Sequence, residues 1–350
     1  MLYGLVRPAP AGYSQTVCLR RMESRMSSFL RPAARALVGV TAVAVCMALA
    51  APSAVATHVQ CGDTLTEDTT LDSDLIDCPG KGIMLGADEI VLDLNGHTID
   101  GVSTSSLHGA RGVIGHGPYP SRLDGVTIEN GSIRQFSAGV ELDYAADGLI
   151  HGLVISDTGS GIYVNQSHGM RIARNSIRGF GMHVSGSLGT VIERNSVAGG
   201  GIGITGGAHA LVVRNSISES PNYGLQVVDA SDHAVIRNLV TRNRVGISAV
   251  DSAYYTRVER NSVHANLEDG ILVDCCESAV IGNLANANGD DGIEVTFGGS
   301  EEFGPDEVTR NTANHNGGLG IKSLPGVIDG GGNRAFGNGN PLQCLNVSCR

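Results

Sequence analysis

Apolar and polar residues alternate along most of this chain in short bursts, broken by glycine, asparagine and serine. Alternation with period 2 is the pattern of a β-strand with one face buried. No segment sustains the 3.6-residue period of an amphipathic helix, so helices are not expected.

The bursts recur at a fixed beat. Glycine followed by apolar-x-apolar appears as Gly139-Val140-Glu141-Leu142 and Gly161-Ile162-Tyr163-Val164, and again from Gly181, Gly201, Gly224, Gly246, Gly270, Gly292 and Gly320. The spacings are 22, 20, 20, 23, 22, 24, 22 and 28 residues. A second register runs beside it: Arg174-Asn175, Arg194-Asn195, Arg214-Asn215, Arg237-Asn238, Arg260-Asn261, Gly282-Asn283 and Arg310-Asn311. An apolar-x pair, such as Ile172-Ala173 or Ile192-Glu193, precedes each of them.

Two or three short strands in about 22 residues leave turns too short and too regular for a meander. The pattern fits a parallel β-helix, in which each strand pairs with its counterpart one coil up and one coil down. Isoleucine and valine would fill the tube, and the asparagine column can hydrogen-bond from coil to coil. Glycine and asparagine suit the turns because they tolerate left-handed backbone. Leucine-rich repeats share the period, but their leucine consensus and repeat helices are missing. With less regular units at Gly82 and Gly112 the repeat predicts about 11 coils, a rod of about 50 Å at roughly 4.8 Å per coil.

Composition agrees with a narrow tube. Glycine accounts for 49 of 350 residues, tryptophan is absent and aromatics are 4%. The glycines lack the Gly-X-Y period of collagen, and 41% hydrophobic residues exclude a disordered chain. A net charge of −11 argues against a nucleic-acid partner.

Residues 1–56 read as a signal peptide. Arg20, Arg21, Arg25, Arg31 and Arg35 precede an uncharged run from Ala36 to Ala51, and Ala54-Val55-Ala56 supplies a small-x-small cleavage site. A membrane anchor is the alternative, and Met22 or Met26 the alternative start. Without this segment the chain keeps 18 basic and 34 acidic residues, net −16. The expected product is secreted, extracellular, free of the membrane after cleavage, and monomeric. An even number of cysteines outside the leader, in an exported chain, predicts disulfides Cys61–Cys78 and Cys344–Cys349. The expected plan is a cap over 57–81, a β-helix over 82–325 and a second cap over 326–350. Cys275-Cys276 is open between a vicinal disulfide, a soft-metal site and two inert thiols.

The start of the mature chain carries a resemblance. Cys61-Gly62-Asp63-Thr64-Leu65-Thr66, Cys78-Pro79-Gly80 and Val91-Leu92-Asp93-Leu94-Asn95-Gly96-His97-Thr98-Ile99-Asp100-Gly101 resemble the N-terminal cap and first coil of secreted bacterial right-handed parallel β-helix proteins. The ending Asn340-Pro341-Leu342-Gln343-Cys344 to Cys349 is similar to that family too. The resemblance implies an all-β, single-stranded right-handed parallel β-helix of the pectate-lyase-like superfamily. It also implies carbohydrate, usually acidic polysaccharide, as partner. A fold does not fix a reaction.

Candidate chemistry lies in columns. The outward column of the glycine-led strands reads Glu141, Tyr163, His183, Gly203, Gln226, Ser248, Leu272, Glu294, Lys322. Tyr163 and His183, with Tyr144 nearby, suggest a sugar platform, and Glu294 and Lys322 are further substrate-binding candidates. Asp269 before Gly270, and Asp290 and Asp291 before Gly292, predict stacked carboxylates one coil apart. Carboxylates that close raise one another's proton affinity, as glycoside cleavage requires. The pair is similar to the polygalacturonase sequence of Asn-Thr-Asp followed by Gly-Asp-Asp, but the Gly-His-Gly of those enzymes is absent and their Arg-Ile-Lys is reduced to Ile321-Lys322. The alternative is that each aspartate caps its turn. A second acidic column, Asp143 with Asp229, Asp251 and Asp274, supplies hard oxygen ligands suited to Ca²⁺. Two functions are therefore expected: a polysaccharide hydrolase or lyase-like enzyme at Asp269, Asp290 and Asp291, or a non-catalytic surface module that binds glycan or protein.

Overall fold

The computed structural model describes residues 58–102, 109–274, 276–300 and 303–350. The expected signal peptide and Cys275 lie outside the described residues. Among those residues every regular element is a strand.

Thirteen strands form the first sheet, from Asp63–Leu65 through Ala138–Asp143, Met182–Ser185 and Ile271–Val273 to Cys344–Leu345. Each pairs in parallel with the strand one coil away. Two further stacks complete each coil. Arg171–Ala173, Val191–Glu193 and their successors build the second sheet, and Ser176–Arg178, Ser196–Ala198 and theirs the third. The long strands Thr127–Arg134 and Leu149–Ser156 span both. The solenoid has about 12 turns. The turn beyond the expected count comes from terminal strands that lack the glycine-led signature, Asp63–Leu65 and Cys344–Leu345.

Alternation places one stripe inside. Ile162, Val164, Met182, Val184, Ile202, Ile204, Leu225 and Val227 are buried in a single continuous core. The register reproduces the predicted column: Glu141, Tyr163, His183, Gly203, Gln226, Ser248, Leu272, Glu294 and Lys322 are successive partners across the first sheet. Eight of them are partly exposed, but Ser248 is fully buried, so the row is not outward at that coil.

Two buried asparagine ladders lock the coils. Asn175, Asn195, Asn215, Asn238, Asn261, Asn283, Asn311 and Asn333 form the first, each amide nitrogen donating to the next Oδ1 at 3.0–3.3 Å. Asn243, Asn266, Asn288, Asn316 and Asn338 form the second, closed by Gln343. Buried polar groups paired so completely rigidify a core instead of penalising it.

The glycine beat has a different cause from the one expected. Of the nine leading glycines only Gly181 has positive φ, +73°. A Cβ on Gly139, Gly246 or Gly270 would lie 2.3–2.6 Å from the carbonyl oxygen of the next coil's glycine. Close coil-to-coil approach, not left-handed backbone, selects glycine there. The left-handed positions are held largely by other residues, Arg174, Gln166 and Asp229 among them.

Disulfides Cys61–Cys78 and Cys344–Cys349 are both formed. The first ties the turn just before the opening strand to Leu75–Cys78, a strand at the start of the third stack.

Candidate functional site

The outward row of the first sheet carries two clusters. The first begins at Glu141, which pairs with Arg111. One coil on, Tyr163 stacks on His183 with ring centroids 5.8 Å apart and planes 6° from parallel. Burial pushes the Tyr163 phenol up, helped by the charges of Asp143 and Glu141, and pushes His183 down. The neutral imidazole is therefore favoured in the stack. Next comes Gly203, where a Cβ would meet His183 Nδ1 at 2.8 Å. The missing side chain opens a groove of about 220 Å³ between Phe180, His183, Pro221, Tyr223 and Gln226. Tyr144, expected beside Tyr163, instead packs edge-on against His116 and Tyr119. Its left-handed backbone, φ +52°, turns it off the strand.

The second cluster closes the row. Ile293–Val295 and Ile321–Ser323 pair in register, placing Glu294 beside Lys322. Lys322 Nζ lies 2.7 Å from Glu294 Oε1 and 3.4 Å from Asp291 Oδ2. Asp269 Oδ1 accepts the Asp291 amide at 3.0 Å, and Asp291 Oδ1 accepts the Leu319 amide at 2.6 Å. Each aspartate thus ties its coil to the next with one oxygen. The side chains also converge: one carboxylate oxygen each from Asp269, Asp291 and Glu294 lies within 4.8 Å of the other two. Gly318 makes room, since a Cβ there would come within 2.3 Å of Asp291 Oδ1 and 2.6 Å of Asp290 Oδ1. Asp290 itself is exposed and borders the cluster.

The electrostatics follow. Burial raises the Asp269 carboxyl to about 6, with the charges of Glu294, Asp290 and Asp291 adding to it. Lys322 is raised by its bond to Glu294. The cluster therefore holds a carboxyl able to carry a proton near neutrality, beside carboxylates facing a fixed ammonium. That set can donate a proton to a leaving oxygen and stabilise positive charge developing on a sugar ring.

The structure unites Asp269, Asp291, Glu294 and Lys322, with Asp290 at the border. In sequence the first two belong to a turn column and the last two to a strand column. Their convergence shows only when the strand pairing is known. His183 and Tyr163 lie five and six coils from Glu294 along the same row.

Asp229, Asp251 and Asp274 do not converge. Among the described residues the group of acidic side chains close enough for a shared cation is Asp269, Asp291 and Glu294. Asp229 and Asp251 stack through backbone at left-handed positions, φ +49° and +50°. The Asp274 amide bonds Ala249 oxygen, so this residue sits one register earlier, and Asp143 pairs with His116 and Asn165 at that same earlier position. The one-residue offset of Asp274 and Asp143 leaves only Asp229 and Asp251 at a common register position. Cys276 is buried.

The sequence matches the model of the family described as "Right handed beta helix region" over residues 66–199 and 160–304. The chain belongs to this family. Among solved structures, this β-helix protein is similar to a double mutant of the periplasmic alginate epimerase AlgG, with TM-score 0.53 and 14% identity over 82% of this chain and 78% of that one. It is similar also to the Dettilon tailspike protein, with TM-score 0.50 and 15% identity over 79% of this chain and 62% of that one. The A-module of the Azotobacter vinelandii mannuronan C-5 epimerase AlgE6 aligns with TM-score 0.49 and 13% identity, over 80% and 91%. At such identities the likeness is one of fold. No curated protein sequence matches the chain.

Proposed function

We propose that this β-helix protein is an exported polysaccharide-acting enzyme that cleaves a glycan laid along the outward row of its first sheet. Asp269 acts as the proton donor. Glu294 and Asp291 stabilise the positively charged transition state, Lys322 fixes their positions, and exposed Asp290 is the carboxylate placed to activate water. The stacked rings of Tyr163 and His183 and the groove at Gly203 hold a distal part of the same chain. The observation that carries this reading is the convergence of three carboxylates and a lysine on an open sheet face, one carboxyl holding its proton to about 6. The fold shared with an alginate epimerase and the two disulfides support polysaccharide and export respectively.

The test is incubation with a panel of acidic and neutral polysaccharides, followed by product analysis. Asp269→Asn keeps the oxygen that accepts the Asp291 amide and removes the acid, so it should lose product formation by about 10²-fold or more. A wild-type protein inert on the panel, or an undiminished Asn variant, overturns the proposal.

One observation favours the second reading, a non-catalytic glycan-binding module. Asp269 and Asp291 each spend one oxygen on a coil-to-coil amide, a purely structural use. Under it, wild type and Asp269→Asn bind glycan alike and neither makes product.

A further inference from the structure

The turn between the second and third sheets carries an arginine at its left-handed position in five consecutive coils: Arg174, Arg194, Arg214, Arg237 and Arg260. Their φ values are +52° to +58°, and all five side chains are exposed. The register is fixed by backbone. Each arginine amide donates to the carbonyl of the residue preceding the next coil's ladder pair, as Arg194 does to Val213 and Arg214 to Ile236. Five charges one coil apart extend over about 19 Å.

The fold does not ask for arginine at this position. Left-handed backbone disfavours a long side chain and suits glycine. Glycine occupies the same place one coil further on, at Gly282, with φ +62°. The charge is only partly neutralised locally. Arg260 pairs with Glu259, and Glu193, bonded to Arg171 from the flanking strand, also feels the charges of Arg194 and Arg174. Among the described residues no carboxylate pairs with Arg194, Arg214 or Arg237. Like charges at this spacing repel, yet they are stacked on a chain whose net charge is −11.

Beside this stripe runs a row of hydroxyls. Ser176, Ser196 and Ser216 are exposed register partners two residues beyond Arg174, Arg194 and Arg214. Each of these coils presents one guanidinium fork and one hydroxyl. A guanidinium matches a carboxylate in two-point geometry, and a hydroxyl matches the hydroxyls of a sugar. No aromatic ring stands on the stripe or on its serine row, so the stacking platforms that hold single-stranded nucleic acid are missing there.

We propose that this arginine stripe is a second, non-catalytic binding site for a linear acidic polysaccharide, its anionic sugars aligned along the solenoid axis. It goes beyond the cleavage proposed at Asp269 and does not depend on it.

The test is binding of the full chain to polygalacturonate, with dextran as neutral control and oligothymidylate as a polyanion without sugar acids. Wild type should bind polygalacturonate, lose affinity steeply as salt rises, and leave dextran unbound. The triple variant Arg194→Gln, Arg214→Gln, Arg237→Gln should bind at least tenfold more weakly. Arg242→Gln, which removes one exposed charge outside the stripe and the acidic cluster, should bind as wild type does. Unchanged binding by the triple variant, salt-insensitive binding by wild type, or an equal loss of binding in Arg242→Gln overturns the proposal. Oligothymidylate bound as tightly as polygalacturonate overturns the assignment to polysaccharide. The salt titration needs wild type alone, so the proposal stays open to refutation if the triple variant folds poorly.

Discussion

Lys322 and Glu294 are register partners on adjacent coils, and the ammonium that reaches Glu294 at 2.7 Å also faces the buried carboxylate of Asp291 at 3.4 Å. One cation therefore serves two carboxylates beside a third. Replacing it by Lys322→Met leaves Asp291 buried and uncompensated, at a cost of about 1–2 kcal/mol. Denaturant titrations at pH 8 and pH 4.5 should show that cost at the higher pH. It should shrink at the lower, where Asp269 takes up a proton. Equal stability of variant and wild type at pH 8 would show that the lysine is not needed there.

The first asparagine ladder makes a second prediction. Asn238 donates to Val212 oxygen at 2.9 Å and to Asn261 Oδ1 at 3.0 Å, and accepts the Asn215 amide. Asn238→Ala strands several buried partners, so about 3 kcal/mol of stability should be lost. The exposed neighbour Arg237→Ala should cost well under 1 kcal/mol. Comparable losses for the two would mean that the ladder contributes nothing beyond its turn.

A third concerns glycine. Gly181→Ala would place a Cβ 2.0 Å from Gly201 oxygen at φ +73°, whereas Gly189→Ala, at φ +66°, meets nothing within 4 Å. Left-handed backbone alone costs an alanine about 1–2 kcal/mol. Gly189→Ala should cost that much, and Gly181→Ala clearly more. Matching losses in thermal unfolding would refute close approach as the reason for glycine at 181.

Asp306 sets a fourth. It is fully buried, its Oδ1 accepts the Ser278 amide at 2.8 Å, and its Oδ2 has no partner among the described residues. Burial, aided by the charge of Asp274, raises the carboxyl to about 7 from an ordinary value of 3.8. The folded state therefore holds the proton more tightly than the unfolded chain. Its contribution to stability is complete below about 3.8 and is lost as pH rises through about 7. Asp306→Asn cannot ionise, so it should be more stable than wild type at pH 8 and close to it at pH 4. A variant less stable at pH 8 would contradict the assignment.

His233 slopes the other way. Its Nδ1 accepts the Ala210 amide at 2.8 Å, and burial, with His209 adding, lowers it to about 4. This contribution is present above about 6.5 and disappears as pH falls towards 4. A His233→Asn variant should flatten stability over that interval. An unaltered pH profile would remove the histidine from the account.

Much of this molecule is legible in its sequence. Period-2 bursts give the strands, and the Arg-Asn register gives the first ladder, because one side-chain type recurs at one place in every coil. The second ladder escapes because its distance to the following glycine varies, three residues from Asn243 to Gly246 and four from Asn266 to Gly270. The acidic cluster is half visible. Asp269 and Asp291 announce themselves before glycine, but Glu294 and Lys322 belong to another column, and only pairing brings the two columns together. Asp229, Asp251 and Asp274 show the value of exact register. Their spacings are 22 and 23 residues, so Asp274 already falls one residue early in the sequence, and in the fold only Asp229 and Asp251 share a position.

Parallel pairing of each coil with the coil before it has a consequence for how the molecule is made. A strand of the first sheet finds its partner some 20–28 residues earlier for most of the array, never at the far end of the chain. Contacts are therefore nearest-neighbour in character, and each finished coil exposes a complete edge on which the next is templated. The chain can be laid down in order of synthesis, with the Cys61–Cys78 coil as foundation and the Cys344–Cys349 loop as the last piece to close.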